Sequence, residues 1–164
     1  MHQLLLLRHA KAAPAAEDHE RPLTEDGQLA AHAQGAAMRA LGLIPDLILV
    51  SSARRTRETL AALEPFEEMP LIETMAELYL AEEAALFDHL RAVAETVRSV
   101  LLIGHNPGLH HVALRLAGAD AGRLIAGFPT ATLAEFTLPP PWSRSGAGTG
   151  ARLIRLLTPP RAAP

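Results

Sequence analysis

Three short segments hold side chains that together could seize and attack a phosphoryl group. Arg8-His9 closes the apolar run Leu4–Leu7, Ser51 with Arg54 and Arg55 follows Leu47–Val50, and His105 follows Val100–Ile103. A neutral imidazole is a nitrogen nucleophile, and a guanidinium presents a planar fork of donors to nonbridging oxygens. One polar group at the end of an apolar run is weak evidence. Three such ends of one chemical kind point to phosphoryl transfer through a histidine.

Those runs need a scaffold that brings their ends together. Strand-like and helix-like segments alternate along the chain, which predicts a three-layer α/β/α fold with a mostly parallel central sheet. In such a sheet ligands bind outside the carboxyl ends of the strands. The predicted strands are Gln3–Leu7, Leu47–Val50, a short edge strand at Leu71–Ile72, Val100–Ile103, and a closing pair, Thr132–Leu138 and Arg152–Leu157.

Helices are expected between them. The first runs from about Glu25 to Leu41, with Thr24 as N-cap, Gly42 just past its end, and a stripe of Leu29, Ala33, Ala36, Ala37 and Leu41. Arg54–Leu63 forms the second, stopped near Pro65. Glu82 to about Arg98 forms the third, with Leu86, Leu90, Val93 and Val97 on one face. Asn106-Pro107 reads as N-cap and first helical position of a fourth reaching Ala117. Its free N–H groups would add to the anion site after His105. Polar loops are expected at Lys11–Pro22 and Pro139–Gly150, and a frayed tail at residues 158–164. The whole chain, 1–164, reads as one domain.

Not every cation or imidazole belongs to this pattern. His2, His19, His32, His89, His110 and His111 read as surface or satisfied core residues. Arg39, Arg91, Arg98 and Arg123 read as solvated faces, and Arg54 and Arg57 serve equally well as solvent-facing helix residues. His110 and His111 are adjacent, so on a helix they diverge and make a poor metal pair.

Composition narrows the field. At 164 residues the chain can bury a core without staples. A net charge of −3 argues against a nucleic-acid binder, so cations must be concentrated locally. The absence of Cys excludes disulfides, a thiolate nucleophile and a Cys-based zinc site. No apolar stretch approaches a membrane span, and Leu4–Leu7 is too short for a signal-peptide core, so a cytoplasmic location is expected.

These motifs resemble those of the histidine phosphatase superfamily. Arg8-His9-Ala10 is similar to its Arg-His-Gly, departing only at the third position. Val50-Ser51-Ser52-Ala53-Arg54-Arg55-Thr56-Arg57-Glu58-Thr59 resembles its Ser-Pro-x-x-Arg-Ala-x-x-Thr block, with Ser52 in place of Pro. That alignment selects Arg55 over Arg54 as the second phosphate arginine. Ile103-Gly104-His105-Asn106-Pro107 is similar to its late Gly-His motif. Within the superfamily the chain is most similar to the SixA phosphohistidine phosphatases, through Arg21-Pro22-Leu23-Thr24-Glu25-Asp26-Gly27 and Gly-His-Asn-Pro.

The resemblance implies a phosphoglycerate mutase-like fold and His9 as the nucleophile of a cofactor-free and metal-independent phosphatase. Arg8, Arg55 and a protonated His105 would grip the phosphoryl oxygens, with Arg21 at the rim. Glu77 is the positional candidate for a general acid, which a phosphate ester needs more than phosphohistidine does. Asp18 and Glu20 are weaker candidates. The expected substrate is phosphohistidine on a protein, such as a histidine phosphotransfer protein. A small phosphate ester with Glu77 as acid, a non-catalytic phosphate-binding module and a His-based metallohydrolase are the competing readings.

Overall fold

The computed structural model describes residues 1–159, and most of the expected tail lies outside them. Among the described residues the strands are β1 (His2–Arg8), β2 (Leu47–Ser51), β3 (Leu71–Met75), β4 (Ser99–Gly104), β5 (Leu133–Leu138) and β6 (Arg152–Leu157). The α-helices are α1 (Glu25–Ala40), α2 (Arg54–Leu63), α3 (Glu83–Arg91) and α4 (Gly108–Ala117).

All six strands form one sheet in the order β3-β2-β4-β1-β5-β6. The first four are mutually parallel, while β5 runs antiparallel to both β1 and β6. Burial on both faces explains the unbroken Leu4–Leu7 run. Leu4 and Leu6 pack with Leu86, Leu90, Leu109 and Val112 of α3 and α4. Leu5 and Leu7 pack with Met38, Leu60 and Leu63 of α1 and α2. The register puts Arg8 beside Gly104 and Val50 beside Ile103, so β1, β4 and β2 end side by side.

Four sequence expectations are corrected. Leu29 of α1 and Leu41, its C-cap, are 64% and 42% exposed, and the buried face is Gly27, Ala31, Gln34, Gly35 and Met38. This face is small because α1 lies against backbone: a Cβ on Gly35 would fall 2.3 Å from the Leu63 carbonyl oxygen. Thr24 does cap the helix, accepting from Gly27 N–H at 3.0 Å. Helix α3 ends at Arg91 rather than near Arg98. Val93, Thr96 and Val97 are poor helix formers. Glu95 is also drawn into tertiary bonds with His2 Nε2 (2.9 Å) and Trp142 N–H (2.5 Å).

Asn106 is not the cap of α4. Pro107 holds that position, and the Asn106 amide donates to the Phe128 carbonyl at 2.8 Å. Arg39, Arg91 and Arg123 are not merely solvated. They donate to the carbonyls of Leu63 and Pro65, of Ser145, and of Leu153 respectively. The 139–150 loop is pinned by Trp142, which is fully buried, stacks on His2 with centroids 4.5 Å apart, and donates from Nε1 to the Val97 carbonyl.

Candidate active site

At the carboxyl edge of the sheet lies a hollow of about 440 Å³, lined by Arg8, His9, Arg55 and His105 and bordered by Asp18 and Arg21. The adjacency that the sequence left open is thus supplied by the strand order. His9 follows β1, His105 follows β4, and Arg55 stands in the first turn of α2 just beyond β2. His9, Arg55 and His105 are 7%, 3% and 3% exposed. Arg54 is exposed and paired with Glu58 at 3.0 Å, so burial separates the two arginines.

His9 is held in one tautomer. Its Nδ1 lies 2.7 Å from the Ala10 carbonyl oxygen, which can only accept, so Nδ1 carries the proton and Nε2 keeps its lone pair. The residue that supplies this carbonyl is itself held: Ala10 N–H donates to Thr59 Oγ1 at 3.0 Å, and the Thr59 hydroxyl donates to the Arg55 carbonyl at 2.7 Å. Ala10 is fully buried, which explains a small residue there. Burial lowers the His9 pKa to about 4; the Ala10 bond opposes the shift, and Arg55, Arg8 and Arg21 add to it.

The His105 ring sits 5.4 Å from the His9 ring at 54°, with Nε2 2.8 Å from Ser51 Oγ. Burial, then the charges of His9 and Arg55, lower its pKa to about 3, with Asp18 opposing. Without an anion the ring therefore differs from the protonated His105 expected around a phosphoryl group. It is neutral near pH 7 and becomes a cation only if a bound dianion compensates the cost.

Each arginine is anchored at its tip. Arg8 Nη1 donates to the Phe128 carbonyl at 3.1 Å, and burial beside Arg55 lowers its pKa. Arg55 donates from Nη1 to the Asp18 carbonyl (2.8 Å) and from Nη2 to Asp18 Oδ2 (3.1 Å). Arg8 Nε, Arg55 Nε and His105 Nδ1 are buried without a protein partner. Buried N–H groups are costly when unpaired. All three belong to residues that line the hollow.

The remaining candidates divide. Arg21 borders the hollow but spends its fork on the Ala13 and Ala12 carbonyls and on Asp18 Oδ1, so it ties the loop down. Glu77 is exposed on the 3₁₀ turn Ala76–Leu78 and does not line the hollow, a correction to its proposed place as acid. Asp18 borders the hollow, but bonds from Tyr79 first and then Arg55 and Arg21 hold its carboxyl at about 2, so it is ionised. Glu20 pairs with His19 at the surface. Among the described residues no group of three or more His, Asp or Glu is placed to hold a metal ion. A larger groove between α3 and α4, about 700 Å³, has cations too, but Arg91, His111 and Arg115 there are exposed. No helix among the described residues is long and apolar enough to cross a membrane.

Sequence reasoning missed Tyr79, the chain's sole tyrosine, which touches Asp18, Arg55, His19 and His105. It also missed the Asp18 bond to Arg55. No local spacing signals either one, because both contacts join segments far apart in the chain.

A mostly parallel α/β sheet with paired histidines and arginines at its carboxyl edge defines a phosphoryl-handling protein. Residues 4–82 match the model of the histidine phosphatase superfamily (branch 1), and the chain belongs to that superfamily. Two solved structures are similar over nearly all of both chains. One is a proposed phosphohistidine phosphatase SixA from Nakamurella multipartitia, 31% identical with a TM-score of 0.87, covering 96% of each chain. The other is a proposed SixA from Agrobacterium tumefaciens, 34% identical with a TM-score of 0.84, covering 96% of this chain and 98% of that one. An uncharacterized chloroplastic protein of Arabidopsis thaliana is 32% identical over 135 residues, which is 72% of this chain and 60% of that protein's length. These likenesses support phosphatase activity.

Proposed function

We propose that the chain is a metal-independent phosphatase that acts through a phosphohistidine at His9, on phosphohistidine carried by another protein. The single observation that carries this reading is the neutral, tautomer-fixed imidazole of His9, buried beside Arg8, Arg55 and His105. A nucleophile needs its lone pair at working pH, and a pKa of about 4 leaves Nε2 unprotonated at pH 7.

Nε2 attacks phosphorus, the bond from phosphorus to the departing imidazole nitrogen breaks, and that nitrogen takes a proton from solvent. Water then attacks the phosphorus on His9, its proton is released, and inorganic phosphate departs with His9 neutral again. Arg8, Arg55 and His105 stabilise the oxygens on which charge is concentrated. These side chains supply the positive charge at the reacting centre.

The carboxylates favour a nitrogen leaving group over an alkoxide. Glu77 does not line the hollow and Asp18 is ionised, so neither is poised to protonate an ester oxygen. A phosphoramidate bond is more labile and depends less on such an acid. The names of the SixA-like structures support the same substrate class.

The test is a histidine phosphotransfer protein labelled on its phosphohistidine. The wild type should release labelled phosphate in the presence of chelator and become transiently labelled itself at an acid-labile site. His9→Ala should do neither while keeping the same circular dichroism. Turnover by His9→Ala would remove His9 as nucleophile. Binding without covalent label in the wild type would reduce the protein to a phosphate-binding module.

A further inference from the structure

We propose that Tyr79 is a positioning residue for Arg55, acting through the carboxylate of Asp18. The inference deepens the phosphatase reading and rests on it for what Arg55 grips. Three separate segments meet at this point: the 3₁₀ turn Asp18–Glu20, the first turn of α2, and the residue that closes the 3₁₀ turn Ala76–Leu78.

The Tyr79 hydroxyl donates to Asp18 Oδ2, and the same oxygen accepts from Arg55 Nη2 at 3.1 Å. The Asp18 carbonyl accepts from Arg55 Nη1 at 2.8 Å. One residue therefore holds both terminal nitrogens of the fork, leaving Arg55 Nε as its unpartnered buried donor. A long side chain held at its tip loses less freedom on meeting an anion. Asp18 needs such bracing because its side chain is 46% exposed on a loop.

The tyrosine itself is well braced. Its ring meets His19 edge-on at 4.9 Å and His105 edge-on at 5.6 Å, with the Arg55 guanidinium carbon 5.9 Å from its centroid. His19 is in turn 3.0 Å from Ser52 Oγ, at the end of β2. The hydroxyl keeps its proton, since the Asp18 bond raises the Tyr79 pKa. It thus acts as donor, and Asp18 as shared acceptor. A phenylalanine in place of Tyr79 keeps every ring contact and removes the hydroxyl, with its bond to Asp18 and its lesser interaction with Arg55.

The experiment compares wild type, Tyr79→Phe, Asp18→Ala and the double variant, with Asp18→Asn as a second probe of the carboxylate. Affinity for inorganic phosphate is measured by calorimetry, alongside kcat and KM on the phosphohistidine protein and the melting temperature. Tyr79→Phe should weaken phosphate binding roughly three- to tenfold, within the range for one ordinary hydrogen bond. Its melting temperature should match that of the wild type, and it should have no further effect in the Asp18→Ala or Asp18→Asn background. Wild-type affinity in Tyr79→Phe, or an undiminished effect when the Asp18 carboxylate is gone, would overturn the proposal. The phosphatase reading fails separately, on absent phosphate release by the wild type, and the phosphate affinities still decide the role of Tyr79.

Discussion

The neutral histidines make stability fall as the solution is acidified, by an amount that the structure fixes. In the unfolded chain a histidine gains its proton as pH drops through its ordinary 6.5. In the fold, His9 waits until about 4 and His105 until about 3. Between those limits the unfolded state binds more protons, so the stability present above 6.5 is lost as pH falls. From pH 7 to pH 5 each buried histidine should cost about 2 kcal/mol, and the pair about 4 kcal/mol. The figure hardly depends on how strongly the two rings interact, because both remain neutral in the fold at pH 5. Ordinary carboxylates titrate mainly below this window, and the lowered carboxyl of Asp18 does so near 2. The assay is urea denaturation at the two pH values in buffer free of phosphate and sulfate, with wild type beside the double variant His9→Gln and His105→Gln. The wild type should lose about 4 kcal/mol more than the variant, with an unchanged dependence on urea. Equal losses would mean that the two imidazoles are not held neutral, and the reading of His9 as a ready nucleophile would lose its basis.

Two further substitutions probe the frame. Gly35→Ala places a methyl group 2.3 Å from the Leu63 carbonyl oxygen and should destabilise by about 3 kcal/mol, since backbone must move. Gly122→Ala, with nothing within 4 Å, should differ from wild type by less than about 0.5 kcal/mol in the same denaturation series. Glu77→Gln should leave kcat/KM unchanged both on the phosphohistidine protein and on phenyl phosphate. A loss of tenfold or more on the ester alone would restore Glu77 as an acid.

The strand ends were legible because a strand buried on both faces is written as an apolar run, and the run stops where the sheet meets the site. Arg8, His9 and His105 are each marked by such a stop. Which ends lie side by side was not legible, because the order β3-β2-β4-β1 depends on how the intervening helices cross, and local pattern carries no record of that. Arg55 was masked for a different reason. It shares the buried face of α2 with Thr56, Thr59, Leu60 and Leu63, where a hydrophobic pattern would place an apolar residue. Only the family motif separated it from Arg54. Asp18 and Tyr79 left no local trace at all.

The misread stripe of α1 has a physical cause. The apolar periodicity of Leu29, Ala33, Ala36, Ala37 and Leu41 predicts one face, yet the fold buries Gly27, Gly35 and Ala31 instead. A hydrophobic stripe is the wrong guide where a helix packs against backbone, since close approach selects residues with little or no side chain. The consequence reaches the site. Gly35 lets α1 press on the end of α2 at Leu63, and α2 carries both Arg55 and the Thr59 hydroxyl that accepts from the Ala10 N–H. The carbonyl of the same residue, in the next peptide unit, sets the tautomer of His9. A hydrogen in place of a methyl group on α1 is thus connected, through one helix and one hydroxyl, to which nitrogen of His9 is free to attack.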